Sequence, residues 1–217
     1  MMKLNLFILV FCLFSLSILA QKKEVYLNDD LVQISQFEFN KINDAHTFYN
    51  WQYETDSAIV NLKVQRIKKG KISKELLKTI KSELSGFSGK EIPENDLIII
   101  NCYHGMDDCN SSGNHSYVRA KYKKFLKSIG KMTGISQFFV YKSAEGTSQY
   151  GKELNWIHDK YGTIEKTFFP VQYPCGSYVL IDENGQYYLQ KGEYDIEKII
   201  DLIKNKKTTF AAINPSH

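Results

Sequence analysis

Proline and glycine are scarce in this chain, and 4 Pro and 13 Gly in 217 residues exclude collagen-like and low-complexity classes. Net charge is scarce as well. With 28 Lys+Arg against 24 Asp+Glu, the formal +4 carries no nucleic-acid signature. Cysteines number only 4, and no two of them form a C-x-x-C pair. Beyond the first twenty residues no second long apolar run occurs, so the rest of the chain offers no candidate for a membrane-spanning helix. What the chain does have is aromatic surface: 14 Tyr, 13 Phe and 2 Trp within 43% hydrophobic residues. That is enough to bury a core and excludes disorder as the main state.

Met1–Ala20 reads MMKLNLFILVFCLFSLSILA. A Lys at position 3, an apolar run from Leu4 to Leu19 and the small Ala20 at its exit describe a secretory signal peptide. The competing reading is an uncleaved anchor, since the run approaches the lower limit for a span. Polar Gln21-Lys22-Lys23 follows at once and argues for cleavage. Cys12 lies inside the run rather than at its end, so it does not match a lipidated cysteine. Cleavage after Ala20 removes one Lys and no acid, which moves the charge from +4 to +3. It leaves Cys102, Cys109 and Cys175, which allow one disulfide and one free thiol in three pairings.

After the leader, residues 21–92 and 93–217 read differently. In the first stretch Tyr49, Trp51 and Tyr53 alternate with polar residues, and so do Ala58, Val60, Leu62 and Val64. This period of two on either side of Glu54–Ser57 predicts a strand–turn–strand pair. Ser73 caps an expected helix with Leu76, Leu77, Ile80 and Leu84 on one face. Residues 85–93 read as a loop and boundary. From there Leu97–Ile100 is an unbroken apolar run, the pattern of a strand covered on both faces. A polar loop, Gly105–Asn114, leads to a helix capped by Ser116 and ended by Gly130 or Gly134. Phe138–Tyr141 is a second strand, and Tyr150, Leu154, Ile157 and Tyr161 predict a helix stopped by Gly162. Phe168-Phe169 is a short strand or loop, and Tyr178–Ile181, Glu183-Asn184-Gly185 and Tyr187–Leu189 form a hairpin. Asp195 caps a last helix bearing Ile196, Ile199, Ile200 and Ile203, and residues 208–217 are expected to be a frayed tail. The expected fold class is α/β, a mixed sheet with helices on both faces, preceded by an α+β extension.

Residues 93–207 in this order resemble a thioredoxin-like domain. The most specific segment is Tyr173-Pro174-Cys175-Gly176-Ser177-Tyr178-Val179-Leu180-Ile181-Asp182-Glu183-Asn184-Gly185. The resemblance implies that Pro174 is a cis-proline preceding the third strand, facing the loop after the first strand where the family keeps its redox cysteines. An exported chain carrying such a domain is also similar to thioredoxin-like proteins of Bacteroidetes-type bacteria. The departure lies in the redox motif. Met106-Asp107-Asp108-Cys109 keeps only the second cysteine, whereas Cys109-Asn110-Ser111-Ser112 keeps the first in a C-x-x-S pattern. A peroxiredoxin P-x-x-x-T-x-x-C pattern fails, because Cys102 and Met106 occupy the Pro and Thr places.

Cys109 is the candidate reactive thiol, since it precedes a helix whose unpaired N–H groups lower a thiol pKa. Asp107 and Asp108 act in the opposite direction, and Ser116 sets the helix start some residues downstream. The competing reading is a structural cysteine or half of a disulfide. Cys175 follows Pro174, and the resemblance places it near the Cys109 loop, so a Cys109–Cys175 disulfide or redox pair is a concrete expectation. Cys102 ends an apolar strand and reads as core. Cys102, His104, Asp107, Cys109 and His115 fall within fourteen residues, but their spacing fits no common closed metal site. Asn110-Ser111-Ser112 and Asn114-His115-Ser116 match the glycosylation pattern, which matters only in a eukaryotic secretory pathway. Lys68-Lys69-Gly70-Lys71 and Lys121–Lys124 read as solvated faces, and Tyr49/Trp51/Tyr53 as one face of a hairpin.

Two functions compete on these residues. The first is an exported binding or accessory module of the cell envelope without dithiol activity, acting with an unknown protein partner. The second is a thiol-dependent oxidoreductase or peroxidase using Cys109 with Cys175, with Pro174 at the same site. A metal carrier is a third. The residues indicate no cofactor, no resident metal and no nucleic-acid partner, and they leave open whether the chain is an enzyme.

Overall fold

A computed structural model describes residues 22–106, 109 and 115–211. The leader expected at Met1–Ala20 and most of the stretch expected as a polar loop lie outside the described residues. No described helix is long and apolar enough to cross a membrane. The chain divides into two compact units on either side of the Val64–Gln65 bond.

The first unit contains β1 (Lys23–Leu27), α1 (Gln36–Lys41), β2 (Phe48–Glu54) and β3 (Ala58–Gln65). The sheet order is β1-β3-β2, and β1 runs parallel to β3 from Lys23↔Ala58 to Leu27↔Leu62. The expected strand pair is β2 and β3, closed by the Thr55 N–H donating to Ala58 O at 2.8 Å. Val60, Leu62 and Val64 of the central strand are buried, as period two requires. Neither β1 nor α1 was expected, although Ser35-x-x-Glu38 carries the signature. Ser35 Oγ accepts from the Glu38 N–H at 3.2 Å, and Glu38 Oε2 accepts from the Ser35 N–H at 2.9 Å, a complete capping box.

The second unit is built on a six-stranded mixed sheet. In chain order it contains β4 (Ile67–Lys71), α2 (Lys74–Ser88), β5 (Leu97–Tyr103), α3 (His115–Ile129) and β6 (Ile135–Tyr141). A 3-10 turn (Thr147–Tyr150), β7 (Trp156–His158), α4 (Thr163–Phe168), β8 (Ser177–Ile181) and β9 (Gln186–Gln190) follow. The unit ends with α5 (Lys198–Lys204) and α6 (Lys206–Thr209). The sheet order is β4-β9-β8-β5-β6-β7. β6 runs parallel to both β5 and β7, while β8 is antiparallel to both β5 and β9. All seven residues of β5 are buried, as the apolar run predicts. On one face Leu97 and Ile99 join a core with Phe125 and Ile129 of α3 and with Ile196 and Ile199. Ile98 and Ile100 alternate to the other face, and Leu77, Ile80 and Leu84 of α2 are buried.

Four expectations change. β4 and α2, which composition groups with the N-terminal extension, belong to the second unit, because β4 pairs with β9 from Ile67↔Gln190 to Lys71↔Gln186. No helix runs from Tyr150 to Tyr161. Gly151 at φ 104 ends the turn at Tyr150, and Trp156–His158 pair with Phe139–Tyr141 as an edge strand. Tyr150, Leu154 and Ile157 are each buried, so their helical spacing reflects burial alone, while Tyr161 is exposed. Phe168 and Phe169 end α4 rather than forming a strand. Of the expected tail, residues 208–211 are tied to the fold, since Thr209 Oγ1 donates to Leu202 O at 2.8 Å and Lys69 Nζ donates to Ala211 O at 3.0 Å, and the rest lies outside the described residues.

The β8–β9 turn supplies a paired stability test. Gly185 has φ 77, and a Cβ there would lie 2.9 Å from the backbone oxygen of Ile72. Gly86, inside α2, has open space around it. Gly185→Ala is expected to lower the urea unfolding free energy by about 1–3 kcal/mol. Gly86→Ala is expected to raise it by about 0.5–1 kcal/mol, since alanine costs less backbone entropy in a helix interior.

Candidate functional site

The candidate site lies where β5 ends. Antiparallel pairing of β8 with β5 runs from Ile98↔Ile181 to Cys102↔Ser177, so the start of β8 is fixed beside the end of β5. Cys175 and Gly176 enter β8 through two positive φ angles, 63 and 82. For cysteine that backbone is strained, at a cost of about 1–2 kcal/mol. At Gly176 a side chain has no room, because a Cβ would lie 3.1 Å from Cys102 O.

From this turn Cys175 reaches Cys109, which stands between β5 and α3. The two form a disulfide with a Cα–Cα distance of 5.3 Å across 66 residues of sequence. That separation falls within the ordinary range for a disulfide. Of the three pairings open from sequence, this is the one the fold assembles. Cys109 is exposed and Cys175 partly buried. Cys109 has helical backbone and precedes His115 of α3 by six positions.

The expected cis-proline is absent, because the Tyr173–Pro174 bond is trans. Reversal of the chain is carried instead by the left-handed Cys175-Gly176 pair. Pro174 is therefore next to the disulfide, but not as the cis residue that the resemblance implies.

Cys102 is buried with a free thiol, in agreement with the core reading. Burial first, then the charges of Asp159 and Glu165, push that thiol well above its ordinary pKa, so it holds its proton. His104, 7% exposed, lies beyond the end of the same strand. Its Nε2 stands 3.2 Å from Phe169 O, and its backbone oxygen accepts from the Ser143 N–H at 3.1 Å. Its Nδ1 is buried without a hydrogen-bond partner. Burial is the leading cause that holds its pKa below the usual histidine value, and Lys142 acts in the same direction. Glu165, Asp159 and the Phe169 carbonyl oppose the shift. Lys142 pairs with Glu165, and Asp159 Oδ2 accepts from the Glu165 N–H at 2.9 Å at the start of α4.

Of the candidate metal donors, Cys109 is joined to Cys175, Cys102 is buried and His104 Nε2 faces the Phe169 carbonyl, while Asp107 lies outside the described residues. Among the described residues no cluster of three His, Cys, Asp or Glu side chains could hold a metal. The sequence reading treated His104 only as a candidate ligand and missed its contact with Phe169. A histidine directly after a fully buried strand was the available signal.

His104 also sets an acid limit on stability. The folded state resists protonating it, whereas the unfolded chain takes up the proton below about pH 6.5. The unfolded state then binds more protons, so stability falls as pH drops through that value, by at most about 1.4 kcal/mol per pH unit for one group. Unfolding titrations between pH 7.5 and 5.5 are expected to show this slope in the native chain and a shallower one in His104→Gln. Equal slopes would remove His104 from the account.

No protein-family model matches this chain, and no curated protein is similar to it at a significant level. Structural similarity is found to the exposed lipoprotein thioredoxin Etrx1 of Streptococcus pneumoniae, at 12% identity and a TM-score of 0.37, covering 72% of this chain and 99% of that one. A DsbF homologue from Corynebacterium diphtheriae matches at 8% identity and a TM-score of 0.36, covering 75% and 95%. The reduced 2-Cys peroxiredoxin of Plasmodium vivax matches at 16% and 0.38, covering 77% and 84%. The fold itself rests on strand order and direction: the parallel β5–α3–β6 crossover, the β8–β9 hairpin antiparallel to β5 and the closing helix give the second unit a thioredoxin-like architecture.

Proposed function

We propose that this chain is an exported thiol–disulfide exchange protein whose working pair is Cys109–Cys175. The observation that carries the reading is the disulfide itself, with Cys109 exposed past the end of β5 and the third cysteine of the unit, Cys102, buried and free. The leader pattern at Met1–Ala20 supports action outside the cytoplasm, where such a bond persists. The substrate class is a protein or peptide carrying two thiols.

Exchange starts at the exposed sulfur. An incoming thiolate attacks Cys109 Sγ along the S–S axis, the Cys109–Cys175 bond breaks, and Cys175 leaves as a thiolate. A second thiolate of the same substrate then attacks the substrate sulfur of the mixed disulfide. The substrate departs with its disulfide formed, and Cys109 and Cys175 are left reduced. A disulfide co-reactant, such as glutathione disulfide, restores the pair by the reverse exchange and leaves as two thiols. Cys102 takes no part because its buried thiol keeps its proton.

A second reading has its own observation. The Tyr173–Pro174 bond is trans, and a bridge across 66 residues stabilises the fold by about 4 kcal/mol through loop entropy alone. In that reading the disulfide is a staple and the chain is an accessory module of the envelope. A two-cysteine peptide distinguishes the two. The oxidised protein is expected to oxidise it at least tenfold faster than glutathione disulfide at equal concentration, and Cys109→Ser and Cys175→Ser to abolish this. A rate equal to that of glutathione disulfide would overturn the exchange reading and leave the staple.

A further inference from the structure

The two half-cystines come together on separate segments of chain. Cys109 is carried by the chain leaving β5. Cys175 is carried by the stretch between the end of α4 and the start of β8. At its far end that stretch is fixed by the Cys102↔Ser177 pair and by Gly176 against the Cys102 carbonyl. At its near end it meets His104, with Nε2 3.2 Å from Phe169 O. A carbonyl only accepts, so Nε2 carries the proton and Nδ1 is the bare nitrogen. The His104–Phe169 bond joins residues 65 apart, and the disulfide joins residues 66 apart. His104 precedes Cys109 by five residues and Phe169 precedes Cys175 by six, so the two cross-links join the same two segments of chain.

The geometry points to His104 as the positioning residue of the Cys109–Cys175 pair, a role that rests on the exchange reading above. Its Nε2–H bond to Phe169 O holds the Cys175 segment beside Cys109 when the S–S bond is open. It thereby sets how readily the two thiols close again. His104 touches neither sulfur in this role and acts only through the segment it anchors. Its own placement is fixed from several sides. Ser143 holds its backbone, while Lys142, Asp159 and Glu165 are the charged groups that act on the ring. Asp159 caps α4, whose last turn presents the Phe169 carbonyl by way of the Phe169 N–H bond to Glu165 O at 2.8 Å.

The test is the equilibrium with glutathione, in which two glutathione thiols reduce the pair and leave as one glutathione disulfide. Three variants separate the roles. Gln places an N–H donor where Nε2 stood, Asn places its donor short of Phe169 O, and Phe has none. Asn and Phe are expected to favour the reduced form about tenfold, the value of one hydrogen bond, or about 30 mV for this two-electron couple. Gln is expected to stay within about threefold of the native constant. A merely structural His104 would lower the melting temperature of oxidised and reduced protein equally and leave the glutathione constant unchanged. His104→Asn within twofold of native, or His104→Gln shifted as far as His104→Asn, overturns the assignment. Should His104→Phe fail to fold, the Asn–Gln comparison decides alone. Because the constant is measured without a protein substrate, failure of the exchange reading leaves it measurable.

Discussion

The antiparallel seat of β8 on β5 is the constraint on which the site depends. Once Ser177 stands opposite Cys102, the residue two positions before Ser177 has to emerge at the end of β5. Cys175 occupies that place, and chain leaving β5 carries Cys109 to it. The disulfide is thus a consequence of sheet register. A slip of one residue in β8 would turn every side chain to the opposite face and take Cys175 out of reach. The fully buried β5, apolar from Leu97 to Ile100, is what fixes that register.

Burial then sorts the three cysteines of the second unit. Cys102 is enclosed, and lack of solvent holds its thiol protonated. Cys109 is exposed, and Cys175 lies between these extremes with its backbone in the left-handed region. Of the two joined residues Cys109 is the more exposed, so it is the one an incoming thiolate reaches more readily. His104 joins the same two segments of chain through its bond to the Phe169 carbonyl, and burial disfavours a second proton on its ring.

Much of the fold was legible in the sequence because its elements carry strong local signals. Leu97–Ile100, the Ser73-capped helix and the Asn184-Gly185 turn each announced a structure that tertiary packing did not override. The Cys109–Cys175 pairing was legible only through the resemblance of the segment around Pro174. The misreadings have separate causes. Tyr150 to Tyr161 mimics a helix because residues that point inward from irregular chain can fall at helical intervals. Pro174 was expected to be cis because the thioredoxin-like resemblance implies it, and a Pro before a strand carries no local mark of its isomer to correct that. Gly176 gave the truer signal, a glycine pressed against a carbonyl. The place of His104 directly after a buried strand hinted at its burial, but its partner, a backbone oxygen 65 residues away, leaves no local pattern. In the first unit, the pairing of β1 with β3 is parallel and distant in sequence, which a local pattern does not show.

Whether the pair is exchangeable or fixed, the account requires that Cys109 and Cys175 be the residues joined. Proteolytic digestion of the native protein without reductant, followed by mass spectrometry of the fragments, tests this most directly. The account predicts one linked pair of peptides, joined through Cys109 and Cys175, with Cys102 recovered as a free thiol. A link through Cys102, or three free thiols in protein made in an oxidising compartment, would contradict it.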